Sequence, residues 1–243
     1  MNTIIITGGS KGLGKSLTQL YAKKGFVVYS LARSIRNNSD NVTHIPIDLS
    51  NSNKATTEFN EILDDIIVKN PESITLINNA GTLGKMDVLK DIPLSDIQAT
   101  ISINYITPMT LSSVFAKRLE NYSGIKKIRN ISSGAANGAY HGWSVYCSTK
   151  AAMDSFSKVL AVEQINETNP IHVLSIYPGV IDTGMQAEIR NTSKKEFSNV
   201  ERFRQMKQNS DLSLPEDISE RIYQIDMDEN IENGSITDVR DFV

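Results

Sequence analysis

Short apolar runs of strand length alternate along the chain with longer stretches whose apolar residues recur at helical spacing. The runs at 3–7 (TIIIT), 26–32 (FVVYSLA), 42–47 (VTHIPI), 73–78 (SITLIN), 126–131 (KKIRNI) and 170–177 (PIHVLSIY) read as strands. Helical spacing occupies 15–24, where Gly25 supplies a stop, and then 51–68, 95–119, 144–164 and 215–227. A short closing strand falls within 234–242. Strands that alternate with helices, mostly without hairpin signals, predict an α/β fold. Its form is a doubly wound parallel sheet with helices on both faces and ligands at the carboxyl ends of the strands. No repeat, low-complexity tract or linker interrupts the pattern, so residues 1–243 are expected to form a single domain.

Three segments stand out from this pattern. Residues 85–93 are polar and interrupted, and read as a loop. Pro108 lies inside the helical stretch 95–119, where a proline costs about 3 kcal/mol in a regular helix, so a local kink is expected there. Residues 184–214 turn polar and charged, as a solvated helical pair would. Their place between a strand-end loop and the next helix predicts a mobile lid over a substrate.

Composition narrows the partners. With 25 basic and 28 acidic residues the net charge is -3, so no overall positive field favours nucleic acid or an anionic membrane, and a small molecule is expected instead. Cys147 is the only cysteine, which excludes an intrachain disulfide, and His44, His141 and His172 lack metal-ligand spacing, so no metal is expected. Neither an export signal nor an apolar run long enough to span a bilayer is visible, and the expected location is cytoplasmic.

After the first strand the chain reads TGGSKGLG. Gly8, Gly12 and Gly14 permit a tight turn and close backbone approach around Ser10, Lys11 and Leu13, and the helix that follows offers unpaired N–H groups to a pyrophosphate. The second strand ends at Ala32, where an acid would hold a ribose, and Arg33 follows. No carboxylate repels a 2'-phosphate there, and Arg33 with Lys11 can clamp one, so the expected cofactor is NADP(H). Asp48, closing the third strand, is a candidate N-cap for the helix 51–68.

The stretch 130–150 carries the candidate chemistry. Ser133 sits at a strand's carboxyl end, while Tyr146 and Lys150, four positions apart, share one helical face. A phenol with an ordinary pKa near ~10 moves protons poorly at neutral pH, and a nearby ammonium is expected to lower that value. Tyr140, Trp143 and Met185 are candidate apolar walls for a flat aromatic ketone, with packing of Trp143 in the core the equal alternative.

Ser133, Tyr146 and Lys150 at this spacing, with TGGSKGLG and the NNAG of residues 78–81, resemble the short-chain dehydrogenase/reductase family over essentially the whole chain. The resemblance implies a Rossmann-type fold and an oxidoreductase. Nicotinamide delivers hydride to a carbonyl carbon, Ser133 bonds the oxygen and Tyr146 supplies its proton. The resemblance also implies that Lys150 holds the ribose hydroxyls, and that Asn104, in INYITP, positions a relay water. Asp48 and Leu49 then lie beside the adenine, Asn79, Ala80 and Gly81 bring backbone close to the cofactor, and Pro178, Gly179 and Val180 with Thr183 face the nicotinamide. By the same resemblance the helices 95–119 and 144–164 pair between subunits, in a homodimer or else a tetramer.

Within the family, GWSVYCSTK, PGVIDTGMQ and SKKEFSNVERFR resemble reductases of aromatic 1,2-dicarbonyls that are relatives of sepiapterin reductases. The expected reaction is therefore NADPH-dependent reduction of one ketone of a benzil-type 1,2-dicarbonyl. GSITDVRDF resembles the sepiapterin reductase tail, which makes Asp238 either a pterin anchor or a structural acid. A sepiapterin-type reductase, a 3-oxoacyl carrier reductase and an NADP(H)-binding sensor without turnover are the rivals. A sensor has no need to keep Asn104, Ser133, Tyr146 and Lys150 together.

Overall fold

The computed structural model describes residues 1–34 and 37–242. One parallel sheet holds β1 (Asn2–Thr7), β2 (Val27–Ala32), β3 (Val42–Pro46), β4 (Ser73–Asn78), β5 (Ile125–Ile131), β6 (Ile171–Tyr177) and β7 (Ile236–Asp238). Their spatial order is β3-β2-β1-β4-β5-β6-β7. The chain winds outward from β1 to β3 and then in the opposite direction from β4 to β7. The strand order thus reverses between β1 and β4, whose carboxyl ends open a crevice for ligand.

Helices α1 (Gly12–Lys23) and α8 (Pro215–Met227) cover one face, over Ile4, Ile6, Leu17, Leu174, Ile222 and Ile225. The other face lies under α2 (Ser52–Ile67), α4 (Thr107–Arg118) and α5 (Ser144–Glu163), over Ile5, Phe59, Leu76, Phe115, Ile128 and Leu160. Ile5 points to one core while Ile4 and Ile6 point to the other, which is the period-2 alternation of a strand buried on both sides.

Three local expectations are corrected. The first helix starts at Gly12, inside the glycine turn. The stretch 95–119 is not one kinked helix: α3 (Leu94–Ile101) passes through a π-helical turn, Ser102–Ile106, into α4. Pro108 therefore stands in the first turn of α4, where its missing N–H would be unpaired in any case. The N-cap of α2 is Asn51, not Asp48: Asn51 Oδ1 accepts the Lys54 N–H at 3.1 Å, while Asp48 folds back onto the Ser50 N–H and hydroxyl at 3.0 and 2.8 Å.

Residues 184–214 contain α6 (Gly184–Asn191) and α7 (Val200–Gln208). They are more than a solvated pair, because Ile189, Phe197, Val200 and Phe203 are buried with Trp143 and Tyr146 in a third apolar cluster. The two stems are tied together, Ser213 N–H donating to the Val180 carbonyl at 3.1 Å and Asp182 N–H to the Ser213 carbonyl at 2.9 Å.

Candidate active site

Ser133, Tyr146 and Lys150 meet at the carboxyl end of β5. Ser133 follows that strand and begins a short turn, its Oγ accepting the Ala135 N–H at 3.1 Å. Its hydroxyl also bonds the Tyr146 phenol. Lys150 Nζ donates to the Ile131 carbonyl at 2.8 Å and lies 5.8 Å from the centre of the Tyr146 ring. Tyr146 and Lys150 are 7% and 6% exposed, so both must ionise with little water.

That burial decides their charge. It pushes the Tyr146 phenol up to about 12, against an opposing hydrogen bond from Ser133 that favours the phenolate. It pulls Lys150 down to about 8, with Asp154 opposing. The expectation that Lys150 lowers the Tyr146 pKa is corrected: desolvation dominates, and Tyr146 is a protonated phenol at neutral pH. That is the state required of an acid.

Asn104 is buried within the π turn, and both ends of its amide are engaged. Oδ1 accepts the Thr82 N–H at 2.8 Å, and Nδ2 donates to the Thr82 carbonyl at 2.8 Å and to Thr149 Oγ1 at 3.2 Å. It clamps the segment after NNAG to α5. Gly81 lies between the two groups. A Cβ there would stand 3.5 Å from Asn104 Oδ1 and 3.7 Å from Lys150 Nζ.

The cofactor residues fit a pyrophosphate. Gly8 and Gly12 have φ of +71° and +51°, and a Cβ on Gly14 would overlap the Gly8 carbonyl. Asn79 Nδ2 donates to the Thr7 carbonyl at 2.9 Å, and the N–H groups of Asn79 and Ala80 both donate to Thr7 Oγ1 at 3.0 Å. The glycine turn and NNAG are thereby sewn together with no room for side chains, leaving a cradle walled by backbone. Ser10 and Leu13 are buried, and Leu13 belongs to the α1 core, so it offers backbone alone.

Lys11, the N-cap residue of α1, and Arg33, the residue after β2, are exposed, and β1 and β2 are neighbours in the sheet. Asp48 is held below its usual value by the Ser50 hydrogen bonds and, less strongly, by Arg33. The side chain of Leu49 is buried, and its carbonyl accepts the Thr107 hydroxyl at 2.8 Å. Pro178, Gly179 and Val180 follow β6, with Gly179 at φ +72°. Thr183 precedes α6 without capping it through its side chain, and its methyl group would lie 3.4 Å from a Cβ on Gly12.

Of the proposed substrate walls, Trp143 is 6% exposed and stacks on Phe197 at 4.5 Å and 16°. It also meets the Tyr146 ring edge-on at 5.5 Å. Packing thus claims Trp143, which joins residues 184–214 to Tyr146. Tyr140 and Met185 are partly buried at the rim of the same cluster. Asp238 accepts the Arg240 N–H at 2.9 Å and Nε at 2.8 Å, closing a turn with its own neighbour.

Sequence reasoning missed Thr82, Thr149, Asp154 and Tyr177 near this site. Asp154 alone carried a signal, since it extends the Tyr146–Lys150 spacing by one more helical turn.

The short chain dehydrogenase family model matches residues 2–194. Benzil reductase ((S)-benzoin forming) of Bacillus subtilis (strain 168) is 39% identical over 244 residues, covering 100% of both chains. The Bacillus cereus protein of the same description is 34% identical, over 97% of this chain and 98% of that one. The solved 4-hydroxyisoleucine dehydrogenase complexed with NADH matches with a TM-score of 0.76 and 26% identity, over 98% of this chain and 96% of that one. Among the described residues no helix is long and apolar enough to cross a membrane. The chain belongs to the short-chain dehydrogenase/reductase family and is an oxidoreductase that works with a nicotinamide cofactor.

Proposed function

We propose that the chain is an NADPH-dependent carbonyl reductase acting on one ketone of an aromatic 1,2-dicarbonyl, a benzil-to-benzoin type of reaction. The observation that carries this is the meeting of a hydrogen-bonded Ser133–Tyr146 pair with Lys150 and Gly81, beside an aromatic cluster shared with the lid helices. A bound nicotinamide supplies the hydride. Ser133 and Tyr146 present two hydroxyl groups to one carbonyl oxygen, and the buried phenol gives up its proton as negative charge develops there. Lys150, while an ammonium, stabilises the phenolate left behind.

Arg33 and Lys11, with Ala32 where an acid would stand, favour a 2'-phosphate. Residues 184–214 act as the substrate lid. The engagement of Asp238 by Arg240 favours a diketone over a pterin, because the carboxylate is already satisfied. Val159, Val162 and Ile165, at 53%, 64% and 73% exposure, make an apolar row along and just past the end of α5 that suits pairing with a second subunit.

The test is kcat/KM for benzil with NADPH and with NADH, on protein whose mass in solution is measured by light scattering. NADPH should be preferred by at least about tenfold, and Tyr146→Phe should lose about 10³-fold while still binding cofactor. A variant within a few-fold of wild type, no benzil turnover, a preference for NADH or a monomeric mass would each overturn the corresponding part.

A further inference from the structure

The face of α5 that presents Tyr146 and Lys150 continues one turn further to Asp154, which is 6% exposed. Its Oδ1 accepts the Ser175 hydroxyl at 2.6 Å, and its Oδ2 accepts the Tyr177 phenol. Both partners come from β6. Tyr177 in turn accepts a hydrogen bond at 3.1 Å from Asn137 Nδ2, in the turn that Ser133 begins. A carboxylate is thus fixed beneath the site by two hydroxyl groups. Among the described residues no cation forms an ion pair with it, and buried acids rarely stand without one.

We propose that Asp154 is a positioning residue that keeps Lys150 in its ammonium form within the desolvated site, a role that rests on the assignment of Tyr146 and Lys150 to the reaction. The surroundings of Lys150 supply no other charge. On its own helix it faces the Tyr146 phenol, with the Cys147 thiol beside that, and burial keeps both protonated at neutral pH. From β5 it meets the Ile131 carbonyl, and the Ser132 hydroxyl bonds its backbone. From the NNAG turn and the π turn come the Gly81 backbone and the Asn104 amide. From β6, Tyr177 stays a phenol, because burial and Asp154 both raise its pKa. Desolvation pulls Lys150 down to about 8, and Asp154 is the influence that resists it. Once Tyr146 has given its proton to the substrate oxygen, it is the ammonium of Lys150 that stabilises the phenolate. Loss of Asp154 therefore acts through Lys150 and not on the substrate.

The sign is fixed by this geometry. Removing the carboxylate lowers the Lys150 pKa further, so the alkaline limb of the kcat/KM profile moves to lower pH. Asp154→Asn and Asp154→Ser should both move it by about one pH unit, a roughly tenfold loss of kcat/KM on the alkaline side, with little change at lower pH. Tyr177→Phe removes a hydrogen bond but keeps the charge, so it should lower the melting temperature and leave the limb in place. A lysine-selective NMR titration of Lys150, assigned with Lys150→Arg, reads the same ionisation without turnover.

An unchanged Lys150 midpoint in both neutral Asp154 variants would overturn the proposal. So would a limb displaced equally by Tyr177→Phe, which would make the cluster merely structural. If the wild type reduced no carbonyl, the functional assignment would fall, and the NMR midpoint would still decide whether Asp154 holds the ammonium.

Discussion

Arg129 and Lys150 are cations buried on opposite faces of the sheet, and the fold treats them differently. Arg129, 1% exposed on the α1–α8 face, donates from Nε to Asp226 Oδ1 at 2.7 Å and from Nη1 to the His172 carbonyl at 2.8 Å. Asp226 also accepts the Tyr21 phenol at 2.9 Å, and its backbone carbonyl accepts Lys127 Nζ at 2.6 Å. His172 beside them is pushed below its ordinary value, by burial first and then by Arg129, and stays neutral. Lys150 on the α5 face has one backbone carbonyl, and its nearest carboxylate is occupied by hydroxyl groups. The Arg129 charge is neutralised on the spot, whereas the Lys150 charge is left partly uncompensated, and the depressed Lys150 pKa records that.

Breaking the paired site should have the largest effect on stability. Arg129→Met leaves Asp226 as a buried carboxylate without its guanidinium, a loss of about 3–5 kcal/mol in urea denaturation. Turnover per folded molecule should stay within about twofold, since Arg129 serves the other face of the sheet. A loss under about 1 kcal/mol would show that the pair is not the anchor that its geometry implies.

Lys150→Met should do the reverse, abolishing reduction while stabilising the fold. The free-chain value of 10.5 falls to about 8 in the structure, a difference worth at most about 3–4 kcal/mol. The sign follows from proton counting. Between about 8 and 10.5 the unfolded chain holds more protons on this group than the folded chain does, so Lys150 makes wild-type stability rise with pH across that window. Below about 8 the cost of burying the ammonium is fully present. The variant should lack that slope, whereas Arg129→Met, which leaves Lys150 in place, should keep it. Urea midpoints at pH 7 and pH 10 measure it, and a destabilised Lys150→Met at pH 7 would break the contrast.

The same contrast explains what the sequence could and could not reveal. Tyr146 and Lys150 are joined by helical spacing, and Gly8, Gly12 and Gly14 by a single turn, so local pattern exposed them. Arg129 lies in KKIRNI, which looks like a strand with a wet end, and its partner Asp226 is 97 residues away. Tyr177 and Asp154 are likewise far apart in the chain and meet only across α5 and β6. The π turn at Ser102–Ile106 keeps helical periodicity and is visible only from its hydrogen bonds. Asp48 and Asn51 are both good caps, and the start of α2 decides between them. Phe197 and Phe203 sit among polar residues and reveal their burial only where Trp143 reaches them. The direction of the Tyr146 pKa is hidden for the same reason: spacing shows that a lysine is near but not that the water is gone.

The smallest effect expected comes from the phenol on the paired carboxylate. Tyr21 is fully buried and meets Phe26 and Tyr223 edge-on at 5.0 and 5.4 Å, contacts that a phenylalanine ring retains. Tyr21→Phe therefore removes little more than one hydrogen bond to Asp226, worth about 1.5 kcal/mol, the low end for a charged acceptor, because Arg129 still neutralises the carboxylate. Tyr177→Phe removes the equivalent phenol from Asp154, which has no directly bonded cation like Arg129, and should cost about 2–3 kcal/mol. Urea denaturation of the two variants at one pH gives the difference directly. A larger loss for Tyr21→Phe than for Tyr177→Phe would mean that the unbonded ammonium of Lys150 compensates Asp154 as fully as the bonded guanidinium compensates Asp226, and the distinction between the two faces would fail.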